Sequence, residues 1–286
     1  MPTAATRLVL PLVIRAAVIA LVLPSVALAQ QRPLTTEDPE VIGAGRVLFE
    51  AGVETGRNAQ YPSSGLRGNR VALLAGWSFG LGRIGELQID GGYEWLGIDG
   101  RDPAPFADLV PPDITRATSV VDVTVATKVG VLEETPSRPA VGLRFATRLP
   151  NASNESGLGL DTTDFYVTAL VGKTTGPVRI VANAGLGILG DPLNATAQKD
   201  QFLYGVSLAR AMTANLEAVA EVAGRSVVSS GTPPPGLEAQ GQARAAVRYT
   251  RGPARLDGGI LVGITRRSPD FGIMIGITIV GQAWAP

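Results

Sequence analysis

Cysteine and histidine are both absent from the 286-residue sequence. Without cysteine there can be no disulfide, no thiolate metal site and no thiol nucleophile. Without histidine the chain lacks the one side chain that ordinarily titrates near neutral pH, and hydrolytic mechanisms built on an imidazole base are excluded. Neither sign of charge is in excess: 25 basic residues balance 25 acidic ones, so no polyanion such as nucleic acid is implied as a partner. Beyond residue 30 no apolar run approaches the ~20 residues of a spanning helix. No convincing 3.6-residue periodicity is found there either.

What the first thirty residues do contain is a basic, apolar, small-residue order. Arg7 and Arg15 precede the apolar run 16–23, then Pro24 and Ala27-Leu28-Ala29 follow. This is the pattern of a secretory signal peptide. The apolar core after Arg15 is too short for a membrane anchor, so residues 1–29 are expected to be removed, leaving a chain that starts at Gln30. Residues 30–44 are expected to be a periplasmic N-terminal segment, and 45–286 a transmembrane barrel.

From Arg46 onward the residues alternate between apolar and polar in roughly a dozen runs. In the third run Leu87, Ile89, Gly91, Tyr93 and Trp95 share one face, and Glu86, Gln88, Asp90 and Glu94 the other. The fourth sets Val121, Val123 and Val125 against Asp122, Thr124 and Lys128. Further runs oppose Leu143 and Phe145 to Arg144 and Arg148, Ile180 and Leu186 to Arg179 and Asn183, and Leu216 and Val222 to Glu217 and Glu221. The last opposes Ile273, Ile275 and Ile277 to Gly272, Met274 and Gly276. A soluble β-sandwich alternates too, but its strands usually have about five or six residues. A tilted strand that crosses a bilayer needs roughly 9 to 11, which these runs supply. Short connections near 80–83, 133–139, 174–177, 212–215 and 251–253 interleave with longer ones near 57–68, 97–117, 150–162, 190–200 and 226–238. Outer-membrane barrels pair short periplasmic turns with long extracellular loops in this way. Trp77, Phe79, Tyr93, Trp95, Phe202, Tyr204, Tyr249 and Phe271 fall toward run ends on the apolar side, where interfacial girdles want aromatics. The expected fold is all-β: a closed antiparallel up-and-down transmembrane β-barrel of about twelve strands, since only closure pairs every backbone group in lipid.

If the apolar face meets lipid, the polar face lines the lumen. The pore-lining candidates are Glu86, Asp90, Glu94 and Asp122, with Arg144, Arg148, Arg179, Arg244 and Arg248; Glu50, Glu54, Glu217, Glu221 and Arg255 also point inward. Acids and bases are segregated by strand. Far apart, they make a transverse field across a watery pore. Close together, they pair into a polar plug. Both arrangements stand open. Glu86, Asp90 and Glu94 could in principle act as glycosidase carboxylates, but such a ladder on a lumen wall is more often solvated, and an enzyme ranks behind a channel.

The sequence also resembles the outer-membrane barrel family labelled "MetA-pathway of phenol degradation". The resemblance is carried by Pro33-Leu34-Thr35-Thr36-Glu37-Asp38 leading into Gly43-Ala44-Gly45-Arg46 and Glu50, and by Gly82-Arg83-Ile84-Gly85-Glu86-Leu87. Gly157-Leu158-Gly159 with Asp161-Thr162-Thr163-Asp164, Gly176-Pro177-Val178 with Asn183 and Gly185, and Pro269-Asp270-Phe271-Gly272 carry the rest. Together they cover most of the chain after residue 30. Barrels of this kind usually end on an aromatic residue, whereas here residues 281–286 run past the last alternating position. The resemblance implies a channel or transporter for small, aromatic or hydrophobic solutes in the bacterial outer membrane, and transfers no binding residues. A structural or adhesive barrel with a filled lumen is the alternative. No cofactor and no metal are implied; the expected partners are outer-membrane lipids and an unspecified small solute, and no oligomeric state follows.

Overall fold

A computed structural model describes residues 32–228 and 231–284; the expected signal peptide lies outside the described residues. Twelve strands follow one another: β1 (Arg46–Tyr61), β2 (Leu66–Gly80), β3 (Gly85–Arg101), β4 (Arg116–Leu132), β5 (Ala140–Arg148) and β6 (Asp164–Thr175), then β7 (Val178–Asp191), β8 (Asn194–Ala211), β9 (Leu216–Val227), β10 (Gln240–Arg251), β11 (Ala254–Gly263) and β12 (Phe271–Gln282). Each pairs antiparallel with its sequence neighbour. The first meets the last from Arg46↔Gln282 to Arg57↔Phe271, so the sheet closes on itself and leaves no open edge.

The surface is inverted relative to a water-soluble protein. Leu73, Ile89, Leu186, Ile260 and Ile275 are exposed on the outer face, while Glu50, Glu86, Lys128 and Thr278 are buried within. An outward apolar band over a polar interior is what a lipid-embedded barrel requires. Aromatic rings mark the two borders of that band. Phe49 and Trp77 sit 4.6 Å apart toward the end with short turns, and Tyr93 and Trp95 4.8 Å apart toward the end with long loops.

Two expected connections are strand instead. β1 and β2 reach the four-residue turn 62–65, and β7 and β8 extend to a two-residue turn at 192–193, opened by Leu193 donating its N–H to Asp191 at 2.9 Å. The flanking residues Asn194, Ala195 and Thr196 are exposed at successive positions, and so on both faces. A hairpin rising beyond the bilayer has water on both sides and no reason to alternate.

Strand β4 departs from regular alternation near its middle. Its register against β3 shifts between Asp90 and Gly92, so that Gly92 opposes Val121 and Asp90 opposes Thr124. This bulge reverses the parity: Val121, expected on the lipid side with Val123 and Val125, lines the interior.

At the loop end, residues 102–115 and 149–163 fold back over the opening. Val110 and Leu158 join Leu66, Leu96 and Ala117 in a buried apolar cluster, and Ser64 donates its hydroxyl to the Gly157 carbonyl at 2.6 Å. Burial of each large aliphatic side chain contributes about 1.5–3 kcal/mol as an upper estimate, enough to hold these loops down. Residues 32–44, expected ahead of the barrel, run inside it.

Candidate functional site

The lumen is organised around that N-terminal segment, which crosses it in an extended path. Leu34 packs against Val219, Ala246, Leu261 and Met274. The next two backbone N–H groups, of Thr35 and Thr36, both donate to the Glu221 carboxylate, which also accepts the Thr35 hydroxyl at 2.8 Å. Glu37 exchanges two hydrogen bonds with Asn183: its N–H donates to Oδ1 at 2.6 Å and its carbonyl accepts from Nδ2 at 2.8 Å. An extended segment has unpaired backbone groups that would be costly inside a protein, and these lumen side chains satisfy them. The segment then leaves by the turn end. There Pro39 lies so close to β5 and β6 that a Cβ on Gly142 or Gly172 would stand 3.1 and 3.0 Å from it, and Ile42 closes against Leu48 and Val280.

The side chains of the segment carry charge into the wall. Glu37 accepts from Lys128 at 2.9 Å and from Gln88 at 2.8 Å, and Arg144 stands 3.9 Å from its other oxygen. Lys128 is fully buried and also pairs with Glu86 at 3.3 Å. Lys128 and Arg144 oppose each other directly across β4 and β5, so Glu37 and Glu86 offset two like charges held side by side. Asp38 takes both arms of Arg179, at 2.6 and 2.7 Å, the bidentate geometry that makes guanidinium–carboxylate pairs specific. Arg179 also reaches Glu134 at 2.9 Å and Glu40 at 3.3 Å.

All nine pore-lining candidates face the interior, each within ion-pair distance of an opposite charge. Glu94 is held by Arg70 at 2.6 Å and Asp122 by Arg148 at 3.6 Å; Arg148 also meets Asp164. Arg244 pairs with Glu54 at 3.1 Å and Arg248 with Glu217 at 3.1 Å. Asp90 is the loosest, 4.0 Å from Arg144 and 42% exposed. The charges thus pair mostly between neighbouring strands and through the N-terminal segment, rather than across the barrel as two walls. Alternation pointed to the candidates, and missed Glu37, Asp38, Lys128, Arg70 and Arg225. Lys128 stood on the inward face of its run; the acids of an extended N-terminal segment carry no period to reveal them.

The segment acts as a septum. Leu34, Thr36 and Asp38 line a cavity of about 280 Å3 on the turn side, with Arg179 and Arg248. Thr35 and Glu37 face a cavity of about 380 Å3 on the other side. Next to it lies a larger one of about 590 Å3, whose wall includes Asp90, Asp122, Arg144, Arg148 and Arg244. The lumen is neither an open bore nor a solid core.

No protein-family model matches this sequence, and no curated protein sequence matches it. Solved structures do. An outer membrane channel from Pseudomonas putida F1 superimposes with a TM-score of 0.60 at 10% identity, over 85% of this chain and 98% of that one. The translocator domain of the autotransporter NalP from Neisseria meningitidis gives 0.51 at 10% identity, over 83% and 88%. A NanC porin gives 0.50 at 8% identity, over 82% and 98%. At such identities the likeness is one of fold.

Proposed function

We propose that this chain is a narrow channel for small solutes in the bacterial outer membrane, with its short turns toward the periplasm and residues 32–42 as the constriction. One observation carries the reading: the lumen keeps cavities on both faces of the septum, about 590 and 380 Å3 on one and about 280 Å3 on the other. A barrel whose only task is structural gains nothing from hollow, charge-lined space. The resemblance to the phenol-degradation barrels and the fold shared with an outer membrane channel support the same reading. Leu74, Val121 and Met274 in the wall of the large cavity suit a solute that is partly apolar. Catalysis is not part of the proposal: the sequence offers no histidine or cysteine, and Glu86 and Glu94 are each bound to a cation.

The alternative, a filled structural or adhesive barrel, draws on the same septum and on the apolar cluster at the loop end. Planar-bilayer recordings separate the two. For a channel, the wild type conducts weakly and a variant without residues 32–42 conducts several times more. Silence in both, with a correctly folded barrel, would establish the filled reading.

A further inference from the structure

The two cavities on the loop side of the septum share six wall residues: Thr35, Arg144, Thr168, Leu203, Arg225 and Arg244. Three are arginines, two carry hydroxyls and none is acidic. Arg144 and Arg244 already have carboxylates nearby, Glu37 at 3.9 Å and Glu54 at 3.1 Å. Arg225 differs. Its Nη2 donates to the Gly236 carbonyl at 3.0 Å, its Nε is buried with no hydrogen-bond partner, and among the described residues no carboxylate lies within ion-pair distance of it. An enclosed guanidinium with an unsatisfied N–H is an unfavourable arrangement unless something completes it.

We infer that Arg225, which shares the walls of both cavities with Arg144 and Arg244, is the binding subsite for a small organic monocarboxylate on its way through the lumen. One unpartnered cation calls for one negative charge, and the planar fork of arginine matches a carboxylate. Thr168 and Thr35 supply hydroxyls at the same junction. The body of the solute lies in the larger cavity against Leu74, Val121 and Met274; the volume there, about 590 Å3, is within the range of small-ligand sites. This inference rests on the channel reading and names the class of solute.

The test uses the full-length folded protein in detergent, titrated calorimetrically with benzoate as probe. Benzamide serves as its neutral isostere and inorganic phosphate as a carboxylate-free anion. Benzoate should bind, Arg225→Gln should weaken it by about tenfold or more, as expected for a charge-assisted contact, and neither benzamide nor phosphate should match it. Arg225→Lys, which keeps the charge and loses the fork, should fall between, and Thr168→Val gives a second reading if the Arg225 variants do not fold. Equal binding of benzamide or phosphate, no binding of benzoate, or benzoate affinity unchanged in both Arg225→Gln and Thr168→Val overturns the subsite. Bilayer current distinguishes the two proposals: current without benzoate binding overturns the subsite alone, and benzoate binding without current in the wild type or the septum deletion overturns the channel and leaves the subsite standing.

Discussion

Glu37 meets Lys128 at 2.9 Å, and the ammonium of Lys128 has no exposure to solvent at all. The segment before the first strand is therefore fastened at a fully enclosed charge in the wall. Breaking a buried pair costs about 3–5 kcal/mol when the remaining charge is left uncompensated, and less here, where Lys128 keeps Glu86 at 3.3 Å. Glu37→Ala should accordingly lower the thermal unfolding temperature more than Lys173→Ala, whose partner Glu134 stands at the turn end with Lys173 one-third exposed. A double-mutant cycle of Glu37→Ala with Lys128→Met should give a coupling energy well above the few tenths of a kcal/mol of independent sites. Additive effects would mean that the pair does not anchor the septum.

Opposite faces of β4 should respond differently to charge. Val125 lies near mid-strand on the lipid side and Val121, four residues earlier, on the lumen side. Val125→Arg should destabilise the folded barrel by about 2–4 kcal/mol, the cost of arginine near the bilayer midplane, and Val121→Arg by clearly less. Equal costs in urea unfolding from vesicles would place the two on one face and remove the bulge.

The Asp38–Arg179 pair should hold the septum against the mouth at the short-turn end. With Arg179→Gln, a cysteine placed at Leu34 should react with a soluble thiol reagent faster than in the parent. Unchanged reactivity would show that the Glu221 and Asn183 contacts suffice by themselves.

Glu134, in the turn after β4, titrates below the ordinary carboxylate value. Burial pushes it upward, but the Thr174 N–H and the side chains of Lys173, Thr174 and Arg179 hold the ionised form more strongly. Because the folded value is depressed, the stability this group contributes is present above pH ~4.3 and lost as pH falls through the folded value. NMR titration of the Glu134 carboxyl should give a midpoint below 4.5, moving upward in Arg179→Gln. A midpoint that ignores the substitution would remove Arg179 from the cause.

Orientation can be read on intact cells. A cysteine replacing exposed Asp113, in the 102–115 loop, should label with an impermeant reagent, and one replacing Thr175, at the opposite end, should not. The reverse pattern would turn the barrel upside down.

How far these features were legible in the sequence depends on what surrounds each residue. β3 could be read directly, because lipid on one side and a polar lumen on the other force Leu87 through Trp95 to alternate. The β7–β8 hairpin could not, since its tip is exposed on both faces, at Asn194, Ala195 and Thr196 alike. Val121 was placed on the wrong face because a single bulge reverses every inference drawn from period two. Arg144 and Arg148 were found as inward charges, as were their partners Asp90 and Asp122; Glu37 and Asp164 were not, because they reach these arginines from a segment and a strand end that alternation does not connect to β5.

The septum brings three acids, Glu37, Asp38 and Glu40, into the lumen with one arginine, Arg32. Asp38 and Glu40 both occupy the guanidinium of Arg179, and Glu37 lies beside Arg144, which also borders the proposed subsite. The protein thus carries its own competitor for anions: any carboxylate that reaches Arg144 is measured against a tethered glutamate, and its apparent affinity is the intrinsic one reduced by that exchange. A solute that wins it loosens one fastening of the chain that blocks its way.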